Sequence, residues 1–286
     1  LKSNKISSKD FYKVVDKEMR KLKTGGWQST VDWNHYPVSL EILGITLPVQ
    51  RARFKQGYAE LEGLSREQQA MYWMEVWQKS NLMASLSQAI FFFETWAKER
   101  RRLKSRGEID FVFDPMWKSL LKMVDRLENW AHSDGLSGLI SAAVEERPRE
   151  RYSLLAKWNR DKNPWRRRQS IVSLHYYSRF RETPLPSAKT LNLIENLLDD
   201  DHFYVQRGVG WALRECFNVD PKATMKFLNK HISRIAPIGY YAAVERLSLK
   251  EKARLLALRK TTRTAKRRSA AAANSKAQRA STRAKV

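Results

Sequence analysis

Apolar residues recur along this chain at three- and four-residue steps, and no stretch alternates apolar and polar residues long enough to compete as a strand. That periodicity confines the fold to the all-α class. Pro48, Pro115, Pro148, Pro164, Pro221 and Pro237 stand where a helix can begin, since the N–H that proline lacks is unpaired in a first turn anyway. The spacing predicts helices over 10–23, 49–61, 65–79, 82–104, 115–130, 135–146, 148–160 and 164–180. It predicts five more over 187–198, 203–217, 221–230, 237–246 and 249–259. Thr24-Gly25-Gly26 ends the first helix, and the aromatic span 27–37 has no regular pattern. The segment 82–104 is apolar on most sides through Ile90-Phe91-Phe92-Phe93, so it should be buried; its basic end suits a helix C-terminus. Ser133 or Asp134 reads as the cap of helix 135–146.

A repeat is also visible. Asp161, Trp165, Arg168 and Leu174 return 39 positions later as Asp200, Tyr204, Arg207 and Leu213, each set opening a helix that follows another. A period of that length belongs to HEAT-like arrays, whose stacked helix pairs bury a continuous core and leave one concave face. The expectation is a HEAT-like helical superhelix over 1–258, with a basic concave face, and a disordered tail over 259–286. Within the second copy, Gly208 and Gly210 interrupt the helical stretch from His202 to Phe217. Each glycine costs up to about 1 kcal/mol against alanine in a helix interior. Something must therefore approach that backbone closely, either a crossing helix or a ligand. Trp211 stands there with Arg207 and Arg214 beside it, and Asp200 and Asp201 precede the helix as candidate caps.

Charge narrows the partners. Lys and Arg number 54 against 30 Asp and Glu, a formal net charge of +24, and ten of the cations lie in 259–286 with no acidic residue. The remainder still carries +14. A body this basic favours a polyanion, nucleic acid first. Cys216 is the single cysteine, which excludes an intrachain disulfide and a cysteine zinc cluster and suggests a reducing, cytoplasmic compartment. The opening residues lack the apolar core of a secretory signal, and no apolar run approaches the roughly 20 residues of a membrane span. The five histidines show no paired metal-ligand spacing, and no phosphate loop, dinucleotide fingerprint or nucleophile elbow is present. No metal or cofactor is expected, and the chain reads as a monomer.

Three pieces remain that share a chemical theme: Asn129-Trp130-Ala131-His132-Ser133-Asp134, Asn163-Pro164-Trp165-Arg166-Arg167-Arg168, and Trp211 with Arg214. Indole faces attract a cation, a carboxylate meets positive charge, and arginines hold phosphates. Each piece also has a plain meaning, as a core tryptophan, a helix cap or a solvated basic face.

In combination these pieces resemble the AlkD-type DNA alkylation-repair glycosylases. Trp130 and Asp134, Trp165-Arg166-Arg167-Arg168 and Gly210-Trp211-Ala212-Leu213-Arg214-Glu215 follow that family's order and approximate spacing, and Leu43-Gly44-Ile45-Thr46-Leu47-Pro48 looks like its N-terminal turn. The resemblance implies a HEAT-like superhelix that holds duplex DNA and hydrolyses the N-glycosidic bond of positively charged 3- or 7-alkylated purines. It implies Asp134 as the catalytic carboxylate, with Trp130 and Trp211 on the damaged nucleotide's sugar and backbone, and Arg168 on the phosphate near the lesion. Arg166, Arg167, Arg207 and Arg214 are further candidate DNA contacts. Two positions depart from the family pattern: Ala131 replaces an acidic residue, and Ile238-Gly239-Tyr240-Tyr241 replaces a basic pair. The alternatives are a non-catalytic DNA-binding relative and a HEAT-like protein scaffold.

Overall fold

The computed structural model describes residues 7–23 and 38–265. The stop at residues 24–26, the span 27–37 and the chain beyond 265 lie outside the described residues. Among those described, the structure is all-helical, and the one β pairing is an isolated bridge between Glu41 and Leu82. No described helix is long and apolar enough to cross a membrane. The helices form HEAT-like repeats. The chain groups into two compact units, Leu1–Tyr176 and Tyr177–Val286.

The first unit holds α1 (Phe11–Lys21), α2 (Leu47–Lys55), α3 (Arg66–Lys79) and α4 (Met83–Ser105). It continues with α5 (Trp117–Val124), α6 (Trp130–Glu146), α7 (Pro148–Trp158) and α8 (Pro164–Val172). The amphipathic α1 buries Phe11, Val15 and Met19. The Phe11 ring meets Tyr58 and Trp73 edge-on, at 5.5 and 5.2 Å between centroids. Ser65 opens α3 with a reciprocal capping box to Gln68. As its composition requires, α4 is buried from Ala89 to Phe93. It packs on α3 and α6, and α6 in turn meets α5, α7 and α8.

The second unit holds α9 (Ser187–Asn196), α10 (Phe203–Val219), α11 (Pro221–His231), α12 (Pro237–Ala243) and α13 (249–265). Here α10 is central, contacting α9, α11 and α12. The glycine question is answered by α12. A Cβ on Gly210 would lie 2.0 Å from the Gly239 carbonyl oxygen, and one on Gly239 would lie 2.6 Å from that of Gln206. The two helices cross backbone to backbone, so packing explains Gly210 and its partner Gly239.

The repeat survives as geometry. Asp161 Oδ1 accepts the Asn163 N–H at 2.8 Å, and 39 residues on Asp200 Oδ1 accepts the His202 N–H at 2.9 Å. Each turn leads into the next helix, with Trp165 and Tyr204 buried at equivalent positions. Asp200 thus shapes the turn before α10, while His202 stands at the N-cap.

Several boundaries differ from the sequence reading. Helix α8 ends at Val172 instead of 180, because the following chain is recruited elsewhere: Ser178 donates through both N–H and Oγ to Glu215 Oε2, at 2.9 and 2.8 Å. Helix α5 stops at Val124, and α6 begins at Trp130 instead of 135. Helix α13 runs on to 265, past the expected start of the tail at 259. Arg259 is buried there, its guanidinium donating to the Ile232 carbonyl and lying 4.8 Å from the Tyr240 ring centre. Arg263 donates to the carbonyls of Ser233 and Ile235 at 3.0 and 3.1 Å. These cations satisfy the chain end that follows α11, a role that composition alone does not reveal.

Candidate functional site

In the first unit the chemistry-bearing residues gather at the start of α6. Asn129 is its cap, its Oδ1 accepting the His132 backbone N–H at 2.9 Å. Asn129 Nδ2 lies 2.9 Å from His132 Nδ1, and His132 Nε2 lies 3.1 Å from the Met83 carbonyl oxygen. A carbonyl only accepts, so the ring proton belongs on Nε2 and Nδ1 accepts from Asn129. Burial brings the His132 pKa down to about 4, which keeps the ring neutral at pH 7. The consequence corrects the sequence reading. Trp130 and Asp134 do not flank a junction, and neither Ser133 nor Asp134 is a cap. They sit one turn apart on a single helix and share a face.

Behind them α6 and α8 are joined by buried polar groups. Gln169 Nε2 donates to the Ser133 carbonyl and hydroxyl at 2.8 and 3.0 Å, and Ser137 Oγ donates to Gln169 Oε1 at 2.9 Å. Ser173 Oγ also donates to Gln169 Oε1. Arg168 completes the set. Its Nη1 donates to Ser133 Oγ at 2.6 Å and its Nη2 to Asp134 Oδ1 at 2.7 Å. The Arg168 side chain is 6% exposed and that of Asp134 is 27% exposed. Asp134 Oδ2 makes no hydrogen bond among the described residues. One carboxylate oxygen is therefore anchored and the other is open.

The neighbouring arginines are also engaged. Arg166 pairs with Asp125 and Asp161 at 2.7 and 2.8 Å, and Arg167 donates to the Asp161 and Lys162 carbonyls, both at 3.0 Å. In the second unit, Trp211 is half-buried on α10, edge-on to Tyr177 at 6.1 Å. The Arg214 guanidinium lies 5.2 Å from the Trp211 ring centre and pairs with Glu215 and Glu245 at 3.1 and 2.9 Å. Arg207 differs. It is exposed, lies 6.0 Å from the Phe203 ring centre and makes no ion pair among the described residues. No three metal-ligating side chains cluster among the described residues.

A family model described as DNA alkylation repair enzyme matches residues 17–247. The chain belongs to the DNA alkylation repair enzyme family. Among solved structures, a chain described as a predicted DNA alkylation repair enzyme from Enterococcus faecalis is similar at TM-score 0.58 and 14% identity, over 79% of this chain and 100% of that one. The protein smu.31 from Streptococcus mutans UA159 is similar at 0.50 and 16%, over 85% and 100%. AlkD2 from Streptococcus mutans stands at 0.47 and 16%, over 88% and 97%. No curated protein matches the chain.

In this DNA alkylation repair family member, the piece Gly210 to Glu215 is mostly architecture. Gly210 meets Gly239, Ala212 and Leu213 are buried, and Glu215 holds Ser178. Trp211 is the member of the piece with a half-open ring. Asn129, Ser133 and Gln169 fix the positions of Asp134 and Arg168, roles the sequence does not assign: Ser133 reads there as a cap, Asn129 only as part of its piece, and Gln169 is not singled out. An asparagine directly before a helical stretch is a readable cap signal. The Ser133–Gln169 pairing spans 36 residues and has no local signature.

Proposed function

We propose that this family member is a monofunctional glycosylase that hydrolyses the N-glycosidic bond of positively charged 3- or 7-alkylated purines in duplex DNA. One observation carries the reading: the Trp130 indole and Asp134 carboxylate share a helix face, with Oδ1 anchored by Arg168 and Oδ2 open. A purine alkylated on a ring nitrogen already bears positive charge and departs as a neutral base, so the reaction needs no general acid. The sugar left behind develops oxocarbenium character, which a fixed carboxylate stabilises while orienting a water for attack. An indole face attracts the same cation.

In this reading Asp134 acts at the sugar and Trp130 beside it. Arg168 is a positioning residue, since its guanidinium is buried and spent on Ser133 and Asp134. In the second unit, Trp211 contacts the DNA backbone and Arg207 takes a phosphate. Arg166, Arg167 and Arg214 add positive potential from their partnered positions. Neither metal nor cofactor is required by this chemistry. The test is release of 7-methylguanine or 3-methyladenine from methylated duplex DNA by the purified chain. DNA binding without release of either base supports the non-catalytic alternative instead.

A further inference from the structure

The first unit also contains a cleft of about 800 Å³, bounded by the end of α2, the turn 56–63 and facing parts of α3 and α4. None of its lining residues belongs to the Trp130, Asp134 and Arg168 group. Its volume is within the range of small-molecule sites, roughly 300–1,000 Å³. One wall is aromatic. The half-buried Phe54 stands 5.8 Å from Trp73 and 6.0 Å from Phe91 between ring centres. The rim is cationic. The Arg51 guanidinium lies 4.2 Å over the Phe91 ring centre, and Lys55 and Lys98 are exposed with no ion-pair partner among the described residues. Arg66 also lines the cleft and pairs with Glu99, as Arg51 pairs with Glu94 at 2.8 Å, so Lys55 and Lys98 are the rim cations left for a ligand.

A second feature points to a ligand. The Trp73 indole N–H is buried with no acceptor among the described residues. An unmet buried donor is costly, and an acceptor atom on a bound molecule offsets that cost. Lys55 and Lys98 carry charge that no carboxylate among the described residues balances, and an anion in the cleft supplies that balance.

We propose that this cleft binds a nucleobase carrying a phosphate. The base stacks on Phe54 beneath the rim guanidinium groups, since every base offers a π-face and arginine adds a cation–π contact. The phosphate meets Lys55 and Lys98. A ring nitrogen or carbonyl of the base accepts from the Trp73 N–H. Such a group occurs in a free nucleotide and at the end of a single strand. The site is independent of base release, so either proposal can fail without the other.

The test is calorimetric titration of the full chain with deoxyadenosine monophosphate, a 5′-phosphorylated hexanucleotide and inorganic phosphate. Binding of the mononucleotide at roughly millimolar affinity or better supports a free nucleotide as occupant. Binding of the hexanucleotide without the mononucleotide supports a strand end. In either case the double variant Lys55→Glu/Lys98→Glu weakens binding by at least about tenfold, and Phe54→Leu weakens it while preserving an apolar side chain. Base release is followed in the same preparations and is unchanged by the lysine substitutions. The proposal is overturned if neither nucleotide probe binds, if binding ignores the lysine reversal, or if inorganic phosphate binds as tightly as the nucleotide.

Discussion

Arg168 reaches from α8 to α6 to meet Asp134, Nη2 to Oδ1 at 2.7 Å, while its Nη1 holds the hydroxyl of the preceding residue, Ser133, at 2.6 Å. A carboxylate that works on a sugar must not swing between rotamers, and this fork restricts it. The same pairing occupies the guanidinium of Arg168 with Asp134 and Ser133.

Arg168→Ala is expected to lower base release by about ten- to a hundredfold, the usual scale for a misplaced catalytic group. The fold loses on the order of 1.5–3 kcal/mol from the charged hydrogen bonds, at the lower end because Asp134 is 27% exposed and can turn to water. Arg168→Lys restores charge but not the two-pronged geometry and recovers only part of the rate. Single-turnover release measured beside urea unfolding separates the two effects. Unchanged release in both variants contradicts the positioning role.

Gly210→Ala should be severely destabilising, because its Cβ would lie 2.0 Å from a backbone oxygen that cannot move without displacing α12. A loss of about 3 kcal/mol or more is expected, the scale of a serious steric conflict in a packed interior. Gly138→Ala has the opposite sign. Its Cβ meets the Tyr176 ring at an ordinary 3.6 Å, so relief of helix-interior glycine entropy stabilises by about 0.5–1 kcal/mol. Thermal melting of the two variants against wild type reads both.

Acid should weaken the first unit. Burial brings His132 and His175 each down to about 4. The unfolded chain takes up these protons first, near pH 6.5, so the stability tied to the neutral rings is complete above that pH. It declines as pH falls and is lost once pH passes the folded value near 4. Between pH 7 and 5 the expected loss is about 2 kcal/mol for each ring. At His132 a second proton would also set Nδ1–H against the Asn129 amide that caps α6. Denaturant midpoints at the two pH values check this, and His132→Asn should flatten part of the slope.

Arg207 is exposed and makes no ion pair among the described residues. As a phosphate contact, its replacement by alanine should weaken DNA binding evenly across sequences and reduce the salt-dependence slope by roughly one unit. Fluorescence anisotropy over a salt series measures both. An unchanged slope removes Arg207 from the DNA contacts.

Much of this fold was legible because helices announce themselves through period and punctuation. Prolines at helix starts and the apolar run in α4 placed most elements within a few residues. Boundaries failed where long-range partners outweigh local signals. Ser133, Asp134 and Gly135 look like a helix start, but Ser133 is occupied by Gln169 and Arg168, and Asn129 caps α6 four residues earlier. The glycines at 208 and 210 announced a close approach, but the sequence did not show that Gly210 is the one that meets it or that its partner is Gly239. The three consecutive arginines read as free charge, whereas acidic or carbonyl partners for each come from folding. Residue types for a charged site were visible in the sequence. Their orientation was not, because hydrogen bonds across 34 to 36 residues determine it.

The most direct test of the central claim is Asp134→Asn, which keeps the side chain's size and removes its charge. Base release from methylated duplex DNA should fall to background while DNA affinity stays within about threefold of wild type, since the carboxylate acts at the sugar and is not a phosphate contact. Release of 7-methylguanine or 3-methyladenine by this variant at the wild-type rate would contradict the account.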